Sequence, residues 1–179
     1  MTSDLRLPEL PAIERLNAFQ LDQFGMALRP LFEAAAPLAH ALYAERPFDS
    51  YASLIERAES LALHALPRAE QIEVLNAHPA IGERPARLSA LSLREQGYDP
   101  DSGLPTNDAD QLSARLAELN RAYEARFGFR FVVFVNKRPK SEVATVLEQR
   151  LKTDDIEQEL STGLHEMFSI ARDRLLTLQ

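Results

Sequence analysis

The chain has 179 residues, of which 45% are hydrophobic and 26% are charged, a composition typical of a soluble globular domain. Such a composition excludes collagen-like, low-complexity and disordered proteins. The sequence has no cysteine, which excludes disulfide frameworks and thiolate metal sites, and its net charge of −7 opposes binding to nucleic acid.

The chain shows no sign of a membrane span or of a division into domains. No apolar stretch approaches the roughly 20 residues that a membrane helix needs, and the first residues lack a basic segment followed by an apolar one. The polar stretch from Gly97 to Asn107 is too short to be a domain linker. We therefore expect one domain over residues 1–179, in the cytoplasm, with no membrane partner and no nucleic-acid partner.

Apolar residues recur at spacings of three and four over most of the chain, the pattern of amphipathic helices. In the first half, prolines separate predicted helices over residues 21–34, 37–45, 50–66 and 68–77, the third with Asp49 or Ser50 as its N-cap. The second half predicts helices over residues 108–126, 141–151 and 154–178, with Gly128 available to stop the first of them. The expected fold class is all-α, with roughly seven to nine helices.

Residues 129–135 break the helical pattern. The run Phe129-Arg-Phe-Val-Val-Phe-Val135 is rich in aromatic and β-branched residues and predicts a short extended segment. No other segment is an obvious partner strand for it. Because its backbone amides and carbonyls must still be satisfied, we expect them to meet loops, water or a ligand.

The four histidines are the first candidates for chemistry. His40 and His64 lie inside predicted helices without an acidic residue at a pairing spacing, and His165 lies on the polar edge of the last helix, so we interpret all three as structural. The pair His165-Glu166 lacks the second histidine of a His-Glu-x-x-His zinc motif, and no histidine follows a glutamate at the spacing of carboxylate di-iron bundles. We expect no metal.

His78 differs from the other histidines because it closes a helix and is followed at once by Pro79. Val74 and Leu75 share its helix face, so the imidazole should point inward. Two interpretations remain open: a residue that the helix dipole favours at a C-terminus, or a functional imidazole beside the turn at residues 79–82.

Two charged residues fall on predicted apolar faces. Glu95 follows Ser92 at the spacing of a capping box, which alone would explain both; if the helix begins earlier, Glu95 instead continues the face of Leu88 and Leu91. Arg174 falls within the apolar stripe of the last helix. Its guanidinium is therefore either in a buried ion pair, with Glu95 as one candidate partner, or a ligand for an anion.

Four motifs, taken together and in this order, resemble the OHCU decarboxylase family. They are His78-Pro-Ala-Ile-Gly82, Ser92-x-x-Glu95-Gln96, Phe127-Gly-Phe-Arg-Phe131 and Ile170-Ala-Arg-Asp-Arg174-Leu175, with Arg46-Pro47-Phe48 upstream. The chain departs from the family pattern at Gly97-Tyr98, at Arg130, where proline is common, and from Val135 to Pro139. The resemblance implies an all-helical, homodimeric enzyme without a cofactor. It would convert 2-oxo-4-hydroxy-4-carboxy-5-ureidoimidazoline (OHCU) to (S)-allantoin in urate breakdown.

The resemblance also implies which residues form the site. His78 matches the family's catalytic histidine, and Glu95 matches the acidic residue that works with it. The residues that would bind substrate are Pro79, Ser92, Leu93, Arg94, Glu95, Gln96, Phe131, Val132, Val133, Phe134, Val135 and Arg174. We expect His78 to act as general acid and base, Glu95 to orient it and balance its charge, and Arg174 to hold a substrate oxygen.

The expected chemistry needs no cofactor, because the C=N bond of the substrate ring can accept the electrons that decarboxylation releases. The protein must supply orientation, exclusion of water from the carboxylate and a proton donor on one face. Besides a second copy of the chain, the expected partner is therefore the small-molecule substrate. The alternative is a non-catalytic helical ligand-binding or interaction module of the same fold.

Overall fold

The computed structural model describes residues 8–82, Leu91 and residues 106–178. Eight α-helices lie wholly within these residues, and no strand does. The helices are α1 (Ile13–Ala18), α2 (Leu21–Phe32), α3 (Ala36–Ala44), α4 (Tyr51–His64), α5 (Arg68–Asn76), α6 (Thr106–Phe127), α7 (Lys140–Arg150) and α8 (Ile156–Leu178). The predicted all-α fold class is confirmed.

The predicted helices are found with ends that shift by at most two residues. The sequence pattern does not predict α1, whose six residues are too few for an apolar spacing to recur. Helix α4 begins at Ser50, one of the two predicted caps: its hydroxyl accepts the Ser53 N–H at 3.1 Å, and Ser53 Oγ accepts the Ser50 N–H at 3.2 Å. No helix among the described residues combines the length and the hydropathy that crossing a bilayer requires.

Helix α8 organises the core by packing against α2, α4 and α5, whereas α6 packs against α7. Its buried face carries Leu160, Leu164, Met167, Phe168 and Ala171. Gly163 allows α5 to approach closely, since a Cβ there would lie 3.0 Å from Leu75 Cδ1. Ile156 is 40% exposed because it lies at the very start of the helix.

Arg46, which follows α3, holds the chain around α1 against the end of α3 through hydrogen bonds. Its Nη1 donates to the carbonyls of Asn17 at 2.8 Å and Phe19 at 2.9 Å, and its guanidinium lies 3.4 Å from the centre of the Tyr43 ring. The Asn17 side chain in turn accepts the Phe48 N–H and donates to the Phe48 carbonyl. The Arg46–Pro47 peptide bond is cis.

Residues 129–135 form neither a helix nor a strand. Gly128, with a φ of 81°, ends α6 where the sequence predicts a stop. Beyond it, the rings of Phe129 and Phe131 pack edge-on against Tyr123 of α6, with centroids 6.0 and 5.3 Å away. This aromatic cluster anchors the segment to the core.

Candidate active site

His78 lies in a tight turn directly after α5. The His78 N–H donates to the Leu75 carbonyl at 3.1 Å, and Pro79 then takes the chain out of the helix. His78 is 3% exposed, beside Val74 and Leu75, which are fully buried. The predicted inward direction of the imidazole is confirmed.

The environment of His78 keeps its ring neutral. Neither ring nitrogen has a well-formed hydrogen bond to any residue that the structure describes. Burial lowers the pKa of His78 from 6.5 to about 4, the positive charge of Arg174 lowers it as well, and the negative charge of Glu33 opposes these effects. A weak hydrogen-bond interaction with the Val74 backbone also raises the pKa of the ring slightly. At neutral pH the buried imidazole is therefore unprotonated, the form that can act as a base.

Arg174 projects from the buried face of α8 and is 2% exposed, whereas Arg172 and Asp173 beside it are exposed. Its Nη2 lies 2.9 Å from Glu33 Oε1, and its Nη1 lies 3.4 Å from the Pro30 carbonyl oxygen. Of the two interpretations that the sequence leaves open, a buried ion pair is therefore present. Its partner in the described residues, Glu33, lies at the end of α2 and is not the candidate that the sequence suggests.

The turn after His78 is held by side chains from other elements. Arg130 Nη1 donates to the His78 carbonyl at 2.7 Å, while the Arg130 N–H donates to the Asn76 side chain at 2.9 Å. Asn120 of α6 donates to the Ile81 carbonyl at 2.7 Å. The start of the segment at 129–135 is thus tied to the backbone of His78.

Side chains satisfy part of the backbone of residues 131–135. The Val132 carbonyl accepts Arg150 Nη1 at 2.8 Å, and the Phe134 N–H donates to Glu166 Oε2 at 2.6 Å. Arg138 donates to the carbonyls of Phe134 and Val135. The loop residue Arg138 and two helix side chains thus bind part of this backbone, as the expectation allowed for loops. The groups without a partner in the described structure are those of Phe131 and Val133 and the amides of Val132 and Val135.

The buried ion pair of Arg150 and Glu159 lies against this segment. Arg150 Nε lies 2.6 Å from Glu159 Oε1, and the Tyr123 hydroxyl donates to the same carboxylate. The Arg150 guanidinium also lies 4.7 Å from the centre of the Phe131 ring. Burial, together with the adjacent Glu159 carboxylate, raises the pKa of the Tyr123 hydroxyl, so that it stays a donor.

The structure brings His78, Arg174 and Arg130, near the start of the segment at 129–135, into one region. Of the other predicted site residues, Pro79, Phe134 and Val135 are partly buried, and Phe131, Val132 and Val133 are buried. Ser92, Leu93, Arg94, Glu95 and Gln96, and with them the predicted capping box, lie outside the described residues. Within the described ranges, no three potential ligands from His, Asp and Glu lie close enough to hold a metal ion.

Sequence reasoning misses two charged residues of this region. Glu33 gives no signal, because it continues the helix predicted over residues 21–34. Arg130 stands out only as a charge among aromatic residues and as a departure from the family's proline. Both are recognised only from their contacts with Arg174 and with the His78 carbonyl.

The chain is similar to known proteins over most of its length. The mouse protein 2-oxo-4-hydroxy-4-carboxy-5-ureidoimidazoline decarboxylase is 30% identical to it over 92% of this chain and 90% of its own. A crystal structure of (S)-allantoin synthase superposes with a TM-score of 0.64 at 22% identity; the match covers 94% of this chain and about half (54%) of that one. A crystal structure of OHCU decarboxylase in the presence of (S)-allantoin gives a TM-score of 0.63 at 20% identity over 84% and 95% of the two chains. The sequence model described as OHCU decarboxylase matches residues 17–176, and the chain therefore belongs to the OHCU decarboxylase family.

Proposed function

We propose that the protein removes carbon dioxide from OHCU to form (S)-allantoin in urate breakdown, without a cofactor. The observation that carries this proposal is His78: a buried, neutral imidazole whose ring nitrogens have no well-formed hydrogen bond among the described residues, beside the cation of Arg174. Buried polar atoms are normally hydrogen-bonded, so a ring nitrogen in this state is available to a substrate.

The chemistry follows from the groups that the substrate's name states. Carbon 4 of the ring carries both the hydroxyl and the carboxylate, and the ring C=N bond lies beside it. When the bond to the carboxylate breaks, its electron pair moves towards this C=N bond, whose nitrogen takes a proton from water. The hydroxyl then loses its proton to become the carbonyl of allantoin, and carbon 5 gains a proton and becomes the stereocentre.

His78 can carry out the last two of these proton transfers, from the hydroxyl and to carbon 5. Because its pKa lies at about 4, the ring is neutral at pH 7 and accepts the hydroxyl proton first. The imidazolium that forms then gives this proton to carbon 5 from the same side. Transfer from one fixed face accounts for a single enantiomer. Glu95, which lies outside the described residues, is proposed to orient His78 and to balance its charge during this step.

The remaining groups would orient the substrate. Arg174 offers a cation to a substrate oxygen, and the unsatisfied backbone groups of Phe131 and Val133 suit the ring amide groups. Pro79 shapes the turn beside His78. The stretch from Ser92 to Gln96 stays in the proposed binding site because of its match to the family motif.

Turnover of authentic substrate tests this function. Urate is oxidised in the presence of the hydrolase that produces OHCU, the protein is added, and circular dichroism follows the product. We expect faster formation of (S)-allantoin, unchanged by chelators because the substrate accepts the electrons. A non-catalytic binding module of the same fold would leave this rate unchanged, and that result would contradict the proposal.

We also propose that residues 1–179 act as one domain, in a homodimer and in the cytoplasm. The exposed apolar side chains of Met26 and Leu176, 64% and 78% exposed, are compatible with contact to a second copy. Light scattering of the purified protein tests the homodimer, and fractionation of cells tests the location in the cytoplasm. A monomeric mass or a membrane-bound fraction would contradict them.

A further inference from the structure

Glu33 adopts a backbone conformation that is costly for its residue type. It follows the last residue of α2 with a φ of 55° and a ψ of −146°, a region that glycine occupies far more readily than residues with a Cβ. Its N–H still closes the helix by donating to the Arg29 carbonyl at 2.9 Å. Non-glycine residues held in such conformations cluster at functional sites, where the surrounding structure maintains them.

This conformation places the Glu33 carboxylate against the site. Its Oε1 lies 2.9 Å from Arg174 Nη2, and the two side chains are 16% and 2% exposed. A guanidinium this deeply buried needs a fixed counter-charge to hold its orientation. The ion pair joins the end of α2 to α8, the helix that carries Arg174.

The same carboxylate also acts on His78. Three described charges face the imidazole, from three elements: Arg174 on α8, Glu33 at the end of α2, and Arg130 in the segment after α6. The two arginines lower the pKa of His78, and Glu33 alone among these three raises it. Glu33 therefore limits the positive potential at the proton-transferring group.

We infer that Glu33 is a positioning residue of the reaction, whose carboxylate orients the Arg174 guanidinium and balances its charge beside His78. This inference rests on the proposed function. It explains why a strained glutamate occupies a position where glycine would cost less. Glu33 acts through Arg174 and His78 and makes no contact with the reacting atoms.

The experiment separates activity from stability with two substitutions at the same position. Glu33→Gly relieves the backbone strain and removes the carboxylate, whereas Glu33→Ala removes the carboxylate and keeps the strain. We expect kcat/KM for OHCU to fall at least about tenfold in both variants, as removal of an orienting group does, and the melting temperature of Glu33→Gly to exceed that of Glu33→Ala. A purely structural glutamate would make activity follow stability.

Asp22→Asn is the matched control. Asp22 lies in the first turn of α2 and lines the same surface cavity of about 450 Å³ as Glu33, but the described ion pair of Arg174 is with Glu33 and not with Asp22. We expect this variant to keep kcat/KM within about twofold, as for a surface substitution. Loss of activity in the control equal to that in Glu33→Gly would overturn the inference.

Two further measurements complete the test: the pKa of His78 in a charge-neutral variant and the activity of a double variant. Glu33→Gln keeps an amide oxygen as acceptor but loses the charge, and NMR titration should show a lower pKa for His78 than in the wild type. In an Arg174→Lys background, Glu33→Gln should lower kcat/KM much less than in the wild type, because both changes disturb one ion pair.

A wild type without decarboxylase activity would overturn the proposed function and this inference together. An active wild type with a fully active Glu33→Gly variant would overturn this inference alone.

Discussion

Burial fixes the protonation state of His78, and this determines which proton transfers it can perform. An imidazole at a water-exposed helix end would be partly protonated near pH 6.5, whereas the buried ring has a pKa of about 4 and is neutral. A neutral ring can begin as a base, which suits the loss of the hydroxyl proton that follows decarboxylation. The dipole of α5 favours a cation at this position, and burial outweighs it.

His78→Asn should abolish most turnover while the fold is kept. Asparagine fits the buried turn and retains hydrogen-bonding groups but cannot carry a proton between two sites. Removal of a positioned acid or base typically costs 10²–10⁴ in rate, so we expect kcat to fall by about 100-fold or more. Steady-state kinetics and far-ultraviolet circular dichroism check both parts. His64→Asn, at an exposed histidine that ends α4, is the control. Survival of activity within about threefold would leave His78 as a helix-end residue only.

The stability of the protein should depend on pH through His78. Above pH 6.5 the ring is neutral in both folded and unfolded chains, and the folded state keeps its full stability. As the pH falls from 6.5 towards 4, His78 is protonated in the unfolded chain but stays neutral in the folded chain. Roughly 3 kcal/mol of the free energy of unfolding is therefore lost. Urea unfolding at pH 7.5 and 4.5 measures this loss. The His78→Asn variant should lose less over the same interval, and an equal loss in both proteins would refute the assignment.

Glu95→Gln distinguishes the two interpretations of Glu95. Glutamine still serves at the third position of a capping box but carries no charge. If Glu95 orients His78 and balances the imidazolium, turnover should fall by well over about tenfold while the melting temperature barely moves. Ser92→Ala is the control, since it removes the predicted cap at a cost of about 1 kcal/mol and leaves the carboxylate. A less stable but fully active Glu95→Gln protein would favour the capping role.

At the scale of elements, the segment at 131–135 shows how side chains replace a partner strand. Arg150 of α7 and Glu166 of α8 bind its backbone from two sides, and both helices are themselves held in the core. The segment is thus held in place without a sheet, and the backbone groups of Phe131 and Val133 remain available to a ligand. An edge of a sheet would have invited pairing with another chain instead.

Glu166→Ala should loosen this segment. The change leaves the Phe134 N–H without its acceptor, now bound at 2.6 Å, and should cost about 1–2 kcal/mol of stability. Because substrate binding is disturbed more than proton transfer, KM should rise several-fold while kcat changes little. Glu157→Ala is the control: its ion pair with Arg68 lies on the surface, and its loss should cost at most about 0.5 kcal/mol. Equal effects of the two changes on KM would show that residues 131–135 do not bind substrate.

The spacing of apolar residues predicts most of the α-helices, because one face of each helix is buried. Local chemistry also predicts the Ser50 cap and the Gly128 stop, which depend on neighbouring residues only. The ion pairs Arg174–Glu33 and Arg150–Glu159 differ from these local features, because neighbouring residues in the sequence do not determine them. The first joins residues far apart in the chain, and the second joins two helices whose relative placement no spacing encodes. The sequence therefore predicts a buried charge at Arg174 but not its partner.

At the scale of the whole molecule, the candidate site joins elements from both halves of the chain. Glu33 and His78 come from the first half, whereas Arg130 and Arg174 come from the second, and α8 packs against α2 and α5 to bring them together. A ligand that contacts such a site holds distant elements in place. Its binding energy therefore adds to the cooperative stability of the folded chain.

The product (S)-allantoin should accordingly raise the melting temperature. A ligand at 100 times its dissociation constant stabilises the folded state by about 2.7 kcal/mol, which for a chain of this size corresponds to roughly 5–10 °C. His78→Asn should keep most of this shift, since it removes proton transfer rather than the anchoring cation. Arg174→Met should lose most of it, because a neutral side chain then replaces the buried guanidinium. Differential scanning fluorimetry with the (R) enantiomer as control measures these shifts. A shift without turnover in the wild type would identify a non-catalytic binder, and the absence of any shift would favour an interaction module whose partner is not this small molecule.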